Sequence, residues 1–175
     1  SLFVLRIDME ITLIVAVTNN NGIGFNKTIP WNVPADMQHF KDYTMGKPVV
    51  MGCVTRDSLP LRYLPGRDNY VVVRDIAVGV WKTNTTPCTY INGVEFFIDS
   101  MRENGTPEIC IIGGAHVYEL FMPHATKIVM SVMLGDYECD VFFPELNHAE
   151  WYAAGGSIKH EWGEIKTFKR AGVTP

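Results

Sequence analysis

Asp36 is the first residue of this 175-residue sequence whose setting suggests chemistry. It is the only acid on an otherwise apolar helix face that carries Met37 and Phe40. A carboxylate so placed is partly desolvated, which raises its pKa. It could hold a cationic or amidine-like ring through paired, charge-assisted hydrogen bonds. The plainer alternative is a solvated first-turn Asp that complements the helix dipole.

A second feature is Ile112-Gly113-Gly114-Ala115-His116-Val117-Tyr118. An apolar strand stops at two glycines and a helix starts at once. Paired glycines let a ligand approach the backbone, and a helix N-terminus favours negative charge. The alternative is close helix–strand packing. The motif is neither GxGxxG nor a Walker loop. Met51-Gly52, followed by Thr55 and Ser58, carries a weaker form of the same signal. Arg67, in Leu64-Pro65-Gly66-Arg67, is either a carboxylate clamp or an ordinary surface arginine.

Other chemistries lack their signatures. The sequence has no GxSxG elbow, no paired catalytic carboxylates and no HExxH. Cys53, Cys88, Cys110 and Cys139 form no CxxC pair, so reduced thiols and no metal site are expected. One desolvated acid beside two glycine-lined anion candidates points to cofactor chemistry, with the protein orienting two small molecules.

The elements that must position these residues follow from short apolar, β-branched runs at 11–17, 48–51, 69–73, 108–112 and 127–134. Runs that are apolar throughout suit strands buried on both faces, as in a parallel sheet. Helices are expected between them at 34–44, 53–59, 93–104 and 114–122. Asn92 is the expected N-cap of the third and Gly105 its terminator. The tail, 157–170, alternates loosely and reads as a late antiparallel strand. The expected fold is a three-layer α/β/α domain with a mostly parallel central sheet and an antiparallel C-terminal edge. Ligands then belong beyond the carboxyl ends of the strands. The loop 18–31, with Gly22 and Gly24, leaves one such end and reads as a lid or a tolerated insertion.

Residues 9–175 read as a single domain, and residues 1–8 as an N-terminal extension without functional weight. At 47% hydrophobic and 19% charged residues, the chain can bury a sizeable core. A net charge of −4 argues against a nucleic-acid binder. No apolar run approaches the ~20 residues of a membrane span. A cytoplasmic monomer is expected.

The runs IPWNVPADMQHFK (29–41), KPVVMG (47–52), LPGR (64–67) and IIGGAHVYE (111–119) closely resemble the dihydrofolate reductase family in order and spacing, over about residues 9–170. The resemblance implies reduction of 7,8-dihydrofolate to tetrahydrofolate with NADPH, serving one-carbon metabolism and thymidylate synthesis. By position, Asp36 matches the carboxylate that grips the pterin, Ser131 the hydroxyl beside it, and Ile29 and Trp31 its edge. Ile14, Met37, Phe40, Leu59 and Leu64 match the pterin and benzoyl pocket. Arg67 matches the partner of the substrate's α-carboxylate, with Arg62 nearby. Ala16 and Ile23 would meet the nicotinamide amide. Gly22, Ile23, Gly24, Phe25, Asn26, Lys27 and Thr28 would form the mobile lid. Gly52, Val54, Thr55, Val73, Arg74 and Gly113, Gly114, Ala115, His116, Val117 and Tyr118 would hold the rest of the cofactor, with a cis bond between Gly113 and Gly114.

The sequence departs from the family pattern in four places. Cys53 and Val54 stand where basic or His residues often meet cofactor phosphates. Ala115 replaces a frequent third glycine. Cys139 precedes Asp140 where a glycine is common, in a loop that touches the lid. The C-terminal hairpin looks shortened. With no cation at 53–54, Arg74 becomes the candidate for the 2′-phosphate and Arg56 its competitor, while His116 faces the pyrophosphate. A pyrimidine reductase of riboflavin synthesis and a non-catalytic folate- or nucleotide-binding protein are the other readings. The Asp36 helix favours folate over the first.

Overall fold

The computed structural model describes residues 8–172, so the extension expected over 1–8 lies outside the described residues except for Asp8. The chain runs β1 (Glu10–Val17), β2 (Gly22–Gly24), α1 (Pro34–Thr44), β3 (Val49–Gly52), α2 (Cys53–Ser58), β4 (Asn69–Val72), β5 (Gly79–Lys82), β6 (Cys88–Asn92) and α3 (Val94–Glu103). It continues through β7 (Glu108–Gly113), α4 (Ala115–Phe121), a 3-10 turn at Met122–His124, β8 (Lys127–Met133), β9 (Val141–Phe142), β10 (Trp151–Ala153), β11 (Ile158–His160) and β12 (Gly163–Arg170).

The main sheet has the order β10-β12-β8-β1-β7-β3-β4-β6-β5, with β11 paired to β12. Every neighbour pair from β8 to β6 is parallel. The five apolar runs form the core of this parallel block, as expected of strands covered on both faces. The antiparallel edge at β12 was also expected. The opposite edge differs, because β5 runs antiparallel to β6. The tail differs too: 157–170 is a hairpin of β11 and β12, not one strand. Its turn leads into Gly163, where an added Cβ would lie 2.0 Å from the Val132 carbonyl oxygen. Only glycine lets β12 pass β8 there.

Alternate residues of each strand feed two cores. Ile11, Leu13 and Val15 of β1 pack with Phe97, Ile98 and Met101 of α3 and with Phe121 of α4. Ile14, Val49, Met51 and Val129 face the other way, and Phe40 and Tyr43 of α1 pack on them. Pro34 supplies the preset φ that starts α1. At α3 the expected Asn92 cap is replaced by Gly93, whose φ of 93° excludes most side chains. Asn92 is engaged elsewhere, donating from Nδ2 to the Ile76 carbonyl at 2.7 Å.

One polar cluster ties α1 to the sheet. Glu108 Oε2 accepts hydrogen bonds from Thr12 Oγ1 and from the Tyr43 hydroxyl, each at 2.7 Å. Lys47 Nζ lies 3.0 Å from Oε1. Burial pushes the Glu108 pKa up, but these hydrogen bonds and the Lys47 charge outweigh it and hold the group below the usual carboxylate range. A depressed folded-state pKa stabilises the fold above the unfolded pKa and loses that contribution as pH falls through the folded value. Glu108→Gln should therefore lower stability at pH 7 by about 1.5–3 kcal/mol. The gap from the parent should close below about pH 4. Chemical denaturation at both pH values measures this, and a gap independent of pH would contradict it.

Candidate active site

The parallel strands β1, β3, β4, β7 and β8 point their carboxyl ends to one side of the sheet. β1 lies between β7 and β8, so the chain order reverses beside it and opens the crevice where α/β sheets bind ligands. Asp36 overlooks this crevice from the first turn of α1. Its Oδ1 accepts a hydrogen bond of 2.6 Å from Ser131 Oγ on β8. Strand register sets that contact: Ser131 lies beside Ala16 of β1 on one side and Ile165 of β12 on the other. Burial pushes the Asp36 pKa up, opposed by the Ser131 hydrogen bond and by the imidazoles of His39 and His160. His160 stacks on Trp162, with ring centroids 4.9 Å apart. Nothing in the local sequence marks His160 as a neighbour of Asp36, because β11 returns to it only through tertiary structure.

The apolar wall comes together as expected. Ile14 is buried in β1, and Phe40, Leu59 and Leu64 pack on the same cluster. Ile112 joins them, a residue that the sequence reading used only as the end of a strand. Met37 is 65% exposed and Ile29 62%, so both stand at the open rim. Trp31 is held edge-on by Tyr137, with centroids 5.5 Å apart.

The Leu64–Arg67 turn is built by Asn69, which the sequence reading also missed. This buried amide accepts from the Leu64 N–H at 2.7 Å and donates to the Leu64 and Arg67 carbonyls at 2.9 and 2.8 Å. Gly66 has φ 76°, so the turn needs its freedom. Arg67 then donates from Nη1 to Thr44 Oγ1 at 3.0 Å and from Nε to the Pro65 carbonyl at 3.0 Å. Its fork is fixed at the end of α1. Arg62 is committed differently: its Nη2 lies 2.7 Å from Asp57 Oδ1.

On the other side of the crevice, β3 and β7 end in facing glycine turns. The Gly113–Gly114 bond is cis. A Cβ on Gly52 would lie 3.9 Å from Gly114 N, so the starts of α2 and α4 are adjacent. Neither start has a side-chain cap, which leaves first-turn N–H groups for an anion. Thr55 Oγ1 reaches toward Gly114, while Ala115 begins α4. Val117 and Tyr118 are buried behind the turn, and the Tyr118 hydroxyl donates to the Ile14 carbonyl at 2.8 Å. Arg74, just past β4 and Val73, meets His116 of α4 side chain to side chain. Both are exposed at the rim. Arg56, the competing cation, is bound to Asp57 at 3.0 Å and reaches the Tyr90 hydroxyl at 3.4 Å. Val54 is 60% exposed and adds no charge. This donor set fits a dinucleotide that carries a diphosphate and one further phosphate.

The 18–31 segment is partly a strand. β2 pairs with β9, so the loop that the resemblance sets against the lid meets it as a small two-stranded sheet. Phe25 and Thr28 close a tight turn by N–H···O bonds of 2.8 and 3.0 Å, with positive φ at Asn26 and Lys27. Asp140 holds that turn: its Oδ2 accepts from the Asn26 N–H at 3.0 Å, and its own N–H donates to the Gly24 carbonyl at 2.9 Å. Cys139 lies against Gly22 so closely that a Cβ there would fall 2.4 Å from its Sγ.

A family model described as dihydrofolate reductase matches residues 10–168. The chain is 36% identical over 146 residues to dihydrofolate reductase of Neisseria gonorrhoeae, covering 83% of this chain and 86% of that protein. It is 37% identical over 147 residues to dihydrofolate reductase type 3 of Salmonella typhimurium, covering 82% and 83%. A solved structure of dihydrofolate reductase from Enterococcus faecalis, complexed with NADP(H) and RAB-propyl, superposes with a TM-score of 0.79 over 93% of this chain and 96% of that one. At 22% identity, that superposition speaks for the fold alone.

The Asp140 contacts generate a prediction about the segment over the crevice. Asp140→Ala removes the acceptor of the Asn26 N–H but buries no new group. Amide exchange at Asn26 should rise at least about fivefold, with global stability changed by less than about 1 kcal/mol. Unchanged exchange at Asn26 would mean that Asp140 does not brace the turn.

Proposed function

The chain belongs to the dihydrofolate reductase family and reduces 7,8-dihydrofolate to 5,6,7,8-tetrahydrofolate with NADPH, and we propose that the half-buried Asp36 carboxylate, set by Ser131, is the group on which the reaction turns. The supporting observation is that contact itself. It orients Oδ1 by a hydroxyl on a carboxylate that is only partly buried.

Bound NADPH supplies the hydride. The protein's part is to bind, orient and polarise. Asp36 accepts hydrogen bonds from the amidine edge of the pterin, and its negative charge favours the ring protonated at N5. Ile14, Phe40 and Ile112 give the ring an apolar slot, with Ile29 and Trp31 at its edge, and Ala16 and Ile23 meet the nicotinamide amide. Met37, Leu59 and Leu64 border the benzoyl group, and Arg67 presents its fork to the α-carboxylate. Gly52, Thr55, Gly113, Gly114 and His116 cradle the diphosphate, while Arg74, which His116 touches, reads the 2′-phosphate. The segment 22–28 covers the reacting face and excludes water. Residues 9–175 act as one catalytic domain. We place it in the cytoplasm as a monomer, in keeping with its four free cysteines.

Asp36→Asn keeps the shape and the Ser131 contact but removes the charge. Turnover at pH 7, followed by loss of NADPH absorbance, should fall at least about tenfold. Stability should not fall with it. A carboxyl whose pKa is raised by burial costs stability as pH rises above its unfolded value, and Asn removes that cost. The variant should match or exceed the parent in thermal unfolding at pH 7. Near-parent turnover would refute the role of Asp36.

Arg74→Ala tests the cofactor side. It should weaken NADPH at least about tenfold and leave NADH nearly unchanged. Dissociation constants for both cofactors decide this, and equal losses would remove Arg74 from recognition of the 2′-phosphate.

A further inference from the structure

A cavity of about 500 Å³ lies between α1 and the β8–β12 pair. It belongs to neither cleft described above. Lys127, at the amino end of β8, lines it, whereas Ser131 and the crevice lie further along that strand. α/β sheets bind their substrates at the other end of the strands. His39 and Tyr43 line it from α1, on the face shared with Asp36 at i+3 and i+7.

Its walls divide by chemistry. Val129, Ile158 and Ile165 supply apolar surface, and Ile158 stands 60% exposed. Lys127 and Lys169 supply charge, and they are directly opposed residues of the antiparallel β8–β12 pair. Like charges so placed repel. Among the described residues neither forms an ion pair. Lys47 nearby differs, since Glu108 neutralises it at 3.0 Å. Lys127 Nζ stands 5.3 Å from the Tyr43 ring centroid, and the Tyr43 hydroxyl is already used by Glu108. His39 Nε2 is shielded from solvent and has no hydrogen-bond partner among the described residues. Buried polar atoms in native proteins are normally paired.

We propose that this cavity binds a small organic anion, a compact apolar body bearing one carboxylate. The carboxylate would bridge Lys127 and Lys169 and relieve their repulsion. The apolar body would cover Ile158 and Ile165, and a polar atom on it would pair with His39 Nε2. The volume suits a single ring or a short branched chain and lies within the usual range of small-molecule sites. A larger polyanion finds only two opposed lysines here, on a protein of net charge −4.

Benzoate is the probe. It is titrated into the enzyme saturated with folate and NADP⁺, so that the substrate cleft is closed to it, with Ile158 and Ile165 methyl signals followed by NMR. Saturable shifts at both methyls are expected, at least about tenfold weaker with neutral benzamide. Lys127→Gln with Lys169→Gln should weaken benzoate at least about tenfold and keep dihydrofolate turnover within about twofold. Lys169→Gln alone, at an exposed position, should give a smaller loss in the same direction. Absence of saturable shifts up to about 50 mM benzoate would overturn the proposal. So would equal binding of benzamide, or unchanged affinity in both lysine variants. Binding is read without turnover, so a protein that binds benzoate but fails to reduce dihydrofolate would refute the functional reading and leave this site standing.

Discussion

The structure turns on keeping one carboxylate half out of water yet able to carry charge. Burial alone would neutralise Asp36, and full exposure would leave it hydrated and weak as a ligand. The Ser131 hydroxyl, fixed by the register of β8 between β1 and β12, is the compromise. α1 is pinned at both ends by contacts of the same kind. Asp36 reaches β8 at its start, and Tyr43 reaches Glu108 of β7 near its end. Two carboxylate–hydroxyl contacts thus join the apolar face in locating the helix that carries Asp36.

The opposite wall follows another logic. Asp36 is a single, oriented carboxylate, whereas the glycine-lined side presents backbone. Two helix starts without side-chain caps face each other across three glycines. Side chains contribute mainly at the rim, where Arg74 and His116 converge. In the proposed reading, Arg74 stands in for the cation that Cys53 and Val54 do not supply. Its meeting with His116 joins residues 42 apart in the chain and appears only in the fold.

That distinction explains what could be read from the sequence. The parallel strands declare themselves as unbroken apolar runs, and α1 declares itself by Pro34 and Asp36. The strands β2 and β9 have three and two residues and exist only through each other, so no local pattern could reveal them. β5 has four residues, three of them exposed, on an edge. Asn92 looks like a cap by type, but a longer-range partner, the Ile76 carbonyl, takes its amide. Among the candidate residues, setting alone singled out Asp36 and the diglycine without deciding between ligand and structural roles, and Ser131 came only through family likeness. Asn69, Ile112 and His160 were not, because each acts through neighbours that tertiary structure supplies.

The place of β1 has a consequence for how the protein is made. The first strand of the chain pairs on one side with β7 and on the other with β8, through contacts such as Glu10 with Glu108 and Thr12 with Lys127. Its partners are therefore translated about a hundred residues after it. At typical rates of about 5–20 residues per second, the nascent strand waits on the order of 5–20 s with its apolar edges uncovered. Such long-range pairings also slow the final closure of the sheet. Ile11–Val17, buried along almost its whole length in the finished enzyme, thus spends that interval as an apolar strand without partners.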